Sequence, residues 1–208
     1  DNVVVLWDSI VDKIKGDDLV NGIDVRNVKT NAVQDLEVDG VFVQGESEVA
    51  SVNMLYGVEE TGTRSMSSSS STGISLYSEG ISYCASARLP IVYVNVGRGG
   101  PGIGAIKPAQ QDYKQATKAS GNGGFEMIVL SPSTVQEAVD MTYEAFDLAE
   151  RDMNPVLILT DGVIGTMMEP VELPPMKTPE EVAALKEARR AVSAVGHNPE
   201  EQVRILPG

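Results

Sequence analysis

The sequence predicts an α/β fold: a doubly wound, mostly parallel sheet with helices on both faces. Three observations predict it. From Val41 onward, short apolar runs alternate with stretches whose apolar residues recur at helical spacing. The run Ile91-Val-Tyr-Val-Asn-Val96 after Pro90 suits a strand buried on both faces, as parallel strands are. Glycines or Asp-Gly pairs close the strand candidates at Gly45, Gly97 and Asp161-Gly162. Strands and helices alternating at this spacing build a parallel sheet covered on both sides.

Taken in order, Val3 to Leu6 suggest a strand, and Ile10, Val11 and Ile14 a helical turn or two stopped at Gly16. Residues 17 to 39 have weak periodicity. Val41, Phe42 and Val43 read as a short buried strand, broken by Gly45 and followed by Val49, Val52, Leu55 and Tyr56 at helical spacing. A second strand is expected over Thr63 to Met66, then an ordered polar loop at the five serines Ser67 to Ser71. Ile74, Tyr77, Ile81 and Cys84 mark a helix to Ala87. After the Pro90 strand, Gly97 to Gly104 is too glycine-rich for helix or strand. A polar helix is expected over Ala109 to Lys118 and a strand over Met127 to Leu130. Ser133 with Gln136 is a capping-box pattern for a helix whose Val135, Ala138, Val139, Thr142, Phe146 and Ala149 share a face. Val156 to Leu159 is the next strand. Thr178, Pro179 and Glu181 start a last helix with cap, first-position proline and capping-box glutamate in agreement.

Composition narrows the function classes. The 208 residues suffice for one sizeable core, and a net charge of -14 argues against a nucleic-acid partner, which needs clustered Lys and Arg. No apolar run reaches the roughly 18 residues of a membrane span, so a cytoplasmic, non-membrane location is expected. One cysteine, Cys84, excludes an internal disulfide and an all-cysteine cluster held by this chain alone, and it reads as a small core residue. The one histidine, His197, stands in loop-like Gly196-His-Asn-Pro199, so a Ser-His-Asp triad is disfavoured.

Two carboxylates, Glu46 and Glu48, fall at a strand-to-helix junction, where open α/β sheets bind ligands. Position alone is explained without function, because acids in a first helical turn complement the helix dipole. The Gly97 to Gly104 loop could approach a phosphate, but it lacks the Gly-Lys-Ser/Thr of a P-loop and the register of a dinucleotide fingerprint. Its Arg98 suits a carboxylate gripped in a bidentate manner, unless it simply points to solvent or pairs with a neighbouring acid.

Glu46-Ser-Glu48-Val-Ala, Ser67 to Gly73, Arg98-Gly-Gly-Pro-Gly102, Pro108-Ala-Gln110-Gln-Asp112-Tyr113 and Asp161-Gly162 with Met168-Glu-Pro-Val-Glu-Leu173 occur in that order. Together they resemble the pyrimidine-binding domain of the α subunit of 2-oxoacid:ferredoxin oxidoreductases, most closely the branched-chain (2-oxoisovalerate, or 3-methyl-2-oxobutanoate) members. The resemblance implies the thiamine diphosphate-binding fold and divides the chain into a weakly patterned segment (1–40), a pyrimidine-binding domain (41–175) and a C-terminal helix and tail (176–208). It implies oxidative decarboxylation of a 2-oxoacid to an acyl-CoA, with electrons passed to ferredoxin. The alternative is a non-catalytic fragment that docks partner subunits.

By the same resemblance, Glu48 bonds N1' of the cofactor's aminopyrimidine. A carboxylate there favours the tautomer whose exocyclic nitrogen takes the C2 proton. Ser70, Ser71 and Gly73 line the pyrimidine end, Arg98 receives the substrate carboxylate, and Ile103 faces a branched aliphatic tail, while Glu46 is left as a structural or surface acid. Magnesium, the cofactor's diphosphate and the iron-sulfur clusters are implied on partners: a diphosphate-binding β subunit and an iron-sulfur subunit. Residues 1 to 40 contain no proline, so the Tyr-Pro-Ile-Thr-Pro segment that precedes the glutamate in the family has no counterpart there.

Overall fold

The computed structural model describes residues 9–15, 22–36, 42–118 and 121–192. The chain falls into two units, Asp1–Gln44 and Gly45–Gly208. The first contains an antiparallel sheet of β1 (Ser9–Lys15), β2 (Gly22–Asn27) and β3 (Val33–Leu36), in that order. The helical turn expected at Ile10 to Ile14 is therefore a strand. Four-residue spacing is common to helix and strand periods, and pairing of Ile10 with Arg26 and Ile14 with Ile23 decides for the strand. Between β2 and β3, the Asn27 side chain accepts from the amides of Lys29 and Thr30 at 3.0 Å each, which closes the turn. The strand expected at Val3 to Leu6 lies outside the described residues, as does His197.

In the second unit the elements run α1 (Glu48–Glu60), β4 (Met66–Ser69), α2 (Thr72–Ser86), β5 (Val92–Gly99), β6 (Ala105–Pro108), α3 (Tyr113–Lys118), β7 (Ile128–Leu130), α4 (Val135–Asp152), β8 (Val156–Asp161) and α5 (Pro179–Val192). The strand order is β4-β5-β8-β7, with every pair parallel. β6 joins the edge of β5 antiparallel.

The two faces of the sheet carry separate apolar clusters. On one, Val52 and Leu55 of α1 and Ile74, Tyr77, Ile81 and Cys84 of α2 pack with Tyr93 and Leu157. On the other, Ala145 and Ala149 of α4 pack on Val92, Val156 and Ile158. Full burial of a Val, Leu or Ile side chain contributes roughly 1.5–3 kcal/mol, so both layers are held by their inner faces. The doubly wound, mostly parallel sheet predicted from the alternation of patterns is observed.

Several boundaries move. Val41 lies outside the described residues; Phe42 is wholly exposed and Val43 60% exposed, in a coil where a buried strand was expected. A strand needs a neighbour for its backbone groups, and no described strand pairs with residues 42–44. The strand expected at Thr63 to Met66 starts at Met66 and runs through three of the serines, because Met66 to Ser69 pair with Val92 to Asn95. The expected serine loop is thus mostly strand. Likewise Gly97 to Gly99 extend β5, with Arg98 beside Pro108 and Gly99 beside Ala105.

The helix expected from Ala109 begins at Tyr113, since residues 110–112 spend their side chains on the strand ends. The α4 cap is Thr134, one residue on from Ser133: its Oγ1 accepts from the Glu137 amide at 3.1 Å, and Glu137 accepts in turn from the Ser133 amide and hydroxyl. At α5 the capping box is as expected, with the Thr178 amide donating to Glu181 at 2.7 Å and the Glu181 amide to Thr178 Oγ1 at 3.2 Å.

Candidate functional site

Ser47 caps α1, its hydroxyl accepting from the Ala50 amide, so Glu48 is the first helical residue. One of its carboxylate oxygens, Oε1, accepts from Ser69 Oγ at 3.0 Å. Ser69 is the last residue of β4, and Ser67 two positions back bonds Tyr77 Oη at 2.5 Å; both serines therefore face α2, as a period of two requires. Glu48 Oε2 takes no hydrogen bond among the described residues. Gly73 sits against the pair: a Cβ there would lie 2.1 Å from Ser69 Oγ and 2.5 Å from Glu48 Oε1. Glu46, by contrast, is exposed.

Between β4 and α2 the chain turns through Ser70-Ser71-Thr72-Gly73, closed by the Gly73 amide donating to the Ser70 carbonyl at 3.0 Å. Ser71 takes φ 52°, ψ -119°, the first central position of a type II′ turn and normally glycine. A side chain in such a sparsely populated region costs on the order of 1–3 kcal/mol. Ser71 Oγ donates to the Gly102 carbonyl at 3.2 Å. That bond ties the turn to the loop bearing Ile103, which is 80% exposed. Gly104 closes the same loop at φ +67°, where a Cβ would meet the Gly99 carbonyl oxygen at 2.0 Å, so only glycine fits.

The Pro108 to Asp112 stretch acts as a clamp on the strand ends. Gln110 Nε2 donates to Asp161 at 3.3 Å, the Gly100 amide donates to Gln111 at 3.2 Å, and Asn95 Nδ2 donates to Asp112 at 3.0 Å. Asp161 also accepts from the amides of Val163 and Ile164, forming the turn after β8. Arg98 Nε is buried with no partner among the described residues, and so are Asn95 Oδ1 and Thr160 Oγ1. Three unpaired polar atoms near the C-terminal ends of β5 and β8 mark that end of the sheet as the place where a ligand would supply partners.

Glu48 and Gly73 are thus brought together through Ser69, with Ser70 and Ser71 in the adjoining turn and Ser71 reaching the Ile103 loop; no hydrogen bond or ion pair joins Arg98 to Glu48. Ser69, Asn95 and Asp161, which bond to or beside these residues, were not singled out from the sequence. Their signals were slight: a serine within a serine run, and polar residues ending apolar strands. Cys84 is fully buried, and burial pushes its thiol up to about 12, as suits a core residue. No group of three or more His, Cys, Asp or Glu could hold a metal ion among the described residues, and no described helix is long and apolar enough to cross a membrane.

Residues 25–206 match the family model for pyruvate flavodoxin/ferredoxin oxidoreductase, thiamine diphosphate-binding. The chain is 53% identical over 133 residues to ketoisovalerate oxidoreductase subunit VorB of Methanothermobacter thermautotrophicus, covering 64% of this chain and 38% of that one. It is 40% identical over 138 residues to 2-oxoglutarate synthase subunit KorA of Archaeoglobus fulgidus, covering 66% and 40%. Among solved structures, 2-oxoglutarate:ferredoxin oxidoreductase from Magnetococcus marinus, with 2-oxoglutarate, coenzyme A and succinyl-CoA bound, superposes with TM-score 0.59 at 35% identity over 61% of this chain and 22% of that chain. This chain thus spans well under half of these relatives. The match over residues 25–206 places it in a family: the chain belongs to the thiamine diphosphate-binding pyruvate flavodoxin/ferredoxin oxidoreductases.

Proposed function

We propose that this chain supplies the pyrimidine-binding half of a shared thiamine diphosphate site in a 2-oxoacid:ferredoxin oxidoreductase that converts a branched-chain 2-oxoacid to its acyl-CoA. The observation that carries the reading is the Glu48 carboxylate, held on one oxygen by Ser69 over the side-chain-free Gly73, with its other oxygen open. The cofactor fits these residues, because the bare Gly73 lets Ser69 and the Glu48 carboxylate close against the start of α2, and Oε2 would be left to accept the N1' proton. When bound, thiamine diphosphate supplies the nucleophilic carbon and the electron sink for loss of carbon dioxide.

The chain's own residues bind and orient. Glu48 holds the N1' proton, and Ser69 fixes the carboxylate that does so. Ser70, Ser71 and Gly73 shape the turn beside the ring. Arg98, whose buried Nε lacks a partner, receives the oxoacid carboxylate. Ile103 offers an apolar surface to a branched tail, which supports 3-methyl-2-oxobutanoate over a smaller or more polar oxoacid. Magnesium, the diphosphate and the iron-sulfur clusters fall to a diphosphate-binding subunit and an iron-sulfur subunit, and the cytoplasmic complex hands electrons to ferredoxin.

The test is Glu48→Gln in the complex assembled with its partner subunits. Turnover should fall by about a hundredfold or more, in the range of a lost acid-base group, with assembly intact. Unchanged turnover would overturn the reading and leave the chain a docking fragment.

A further inference from the structure

Ser71 occupies a backbone conformation that glycine adopts freely and serine does not, at φ 52° and ψ -119°. The turn itself needs no side chain there, since it is closed by the Gly73 amide and the Ser70 carbonyl. What the serine adds is its hydroxyl, and that hydroxyl makes one bond, to the carbonyl of Gly102 thirty-one residues on. The loop it holds, Gly100-Pro-Gly-Ile-Gly104, contains three glycines and presents Ile103 to solvent. A loop so poor in side chains has little else to fix it; the Gly100 amide on Gln111 anchors its start and the Gly99–Ala105 pairing its base.

From this we infer that Ser71 is a positioning residue for substrate selection. It couples the turn beside the proposed pyrimidine site to the Ile103 loop, so that the apolar side chain stands at a fixed place for a branched aliphatic 2-oxoacid. The inference rests on the proposed function for its substrate, but the tether can be measured without turnover. Two variants separate strain from bonding: Ser71→Gly removes both, whereas Ser71→Ala keeps the strained backbone and removes the bond.

The experiment uses the assembled complex with two readouts. The first is amide hydrogen exchange of the peptide spanning Gly100 to Gly104 without substrate, expected to quicken about tenfold in both variants. The second is the ratio of kcat/KM for 3-methyl-2-oxobutanoate to that for pyruvate, expected to fall about fivefold to tenfold in both. In Ser71→Ala/Ile103→Ala the ratio should fall no further than in Ile103→Ala alone, because Ser71 acts through Ile103. Unchanged exchange in both variants would overturn the tether. Faster exchange with an unchanged ratio, or losses that multiply in the double variant, would overturn the selection role. Should the wild-type complex oxidise no 2-oxoacid, the proposed function falls, and the exchange readout still decides the tether.

Discussion

Gly73→Ala isolates the geometry of the Glu48 cradle from its chemistry. Gly73 lies in the first turn of α2 with a negative φ, so alanine meets no backbone strain and brings up to about 1 kcal/mol of helix propensity. Against that, the new methyl would lie 2.1 Å from Ser69 Oγ, 2.5 Å from Glu48 Oε1 and 2.9 Å from Glu48 Cδ. All three are inside contact distance, and Ser69 Oγ cannot swing away without giving up its bond to Glu48. A hydrogen bond to a charged group contributes about 1.5–3 kcal/mol; the propensity gain offsets part of its loss. Net destabilisation of about 1 kcal/mol is expected, readable as a small drop in the urea midpoint. Under the proposed function turnover should suffer much more, because moving a catalytic group by about 1 Å can cost on the order of a hundredfold in rate. The assay pairs urea unfolding of the chain with oxoacid-dependent dye reduction by the assembled complex. Wild-type turnover in Gly73→Ala would refute the claim that Glu48 works from this position.

Two further predictions concern the scaffold. Burial raises the Glu59 carboxyl to about 8, against the lowering effect of its bonds from the Ser65 amide and hydroxyl. The folded state keeps a proton that the unfolded state releases near 4.5, so stability present below that pH is lost as pH rises toward about 8, by at most about 1.4 kcal/mol per unit. Urea midpoints of Glu59→Gln between those pH values should show a shallower decline than wild type. At the α1–α2 contact, a Cβ on Gly80 would lie 2.4 Å and 2.6 Å from the Val52 methyls. Gly80→Ala should therefore cost about 1–2 kcal/mol despite better helix propensity, and Val52→Ala in the same chain should recover much of it.

What could be read from the sequence followed from how local each signal was. The helices α1, α2, α4 and α5 and the strands β5 and β8 announced themselves, because periodicity, a proline or a cap is written within a few residues. β4 did not: five serines carry no apolar alternation, and only pairing with β5 makes them a strand. That same pairing selects Ser69, out of five identical neighbours, as the partner of Glu48. The resemblance singles out Glu48 through its surroundings in the chain, whereas its bond from Ser69 depends on parity set by register. Phe42 shows the converse error, an apolar residue read as buried that has no described strand beside it.

Register also bears on the roles proposed for Glu48 and Arg98. Ser69 pairs with Asn95, so those two side chains share the α1–α2 face. Arg98 is three residues beyond Asn95 and so comes off the opposite face. A molecule touching both must therefore lie across the C-terminal ends of the strands, where Gly100 leaves open space. Under the proposed function the two residues then address different parts of the reactants, Glu48 the cofactor ring and Arg98 the oxoacid carboxylate. With different parts to address and no shared hydrogen-bond partner, the two are expected to act independently. Glu48→Gln should lower kcat, Arg98→Lys should chiefly raise the KM for the oxoacid, and the double variant's kcat/KM should fall by the product of the single losses, within about threefold. A double variant no worse than the poorer single would mean that the two act as one unit, and the division of roles drawn from the sheet's parity would be wrong.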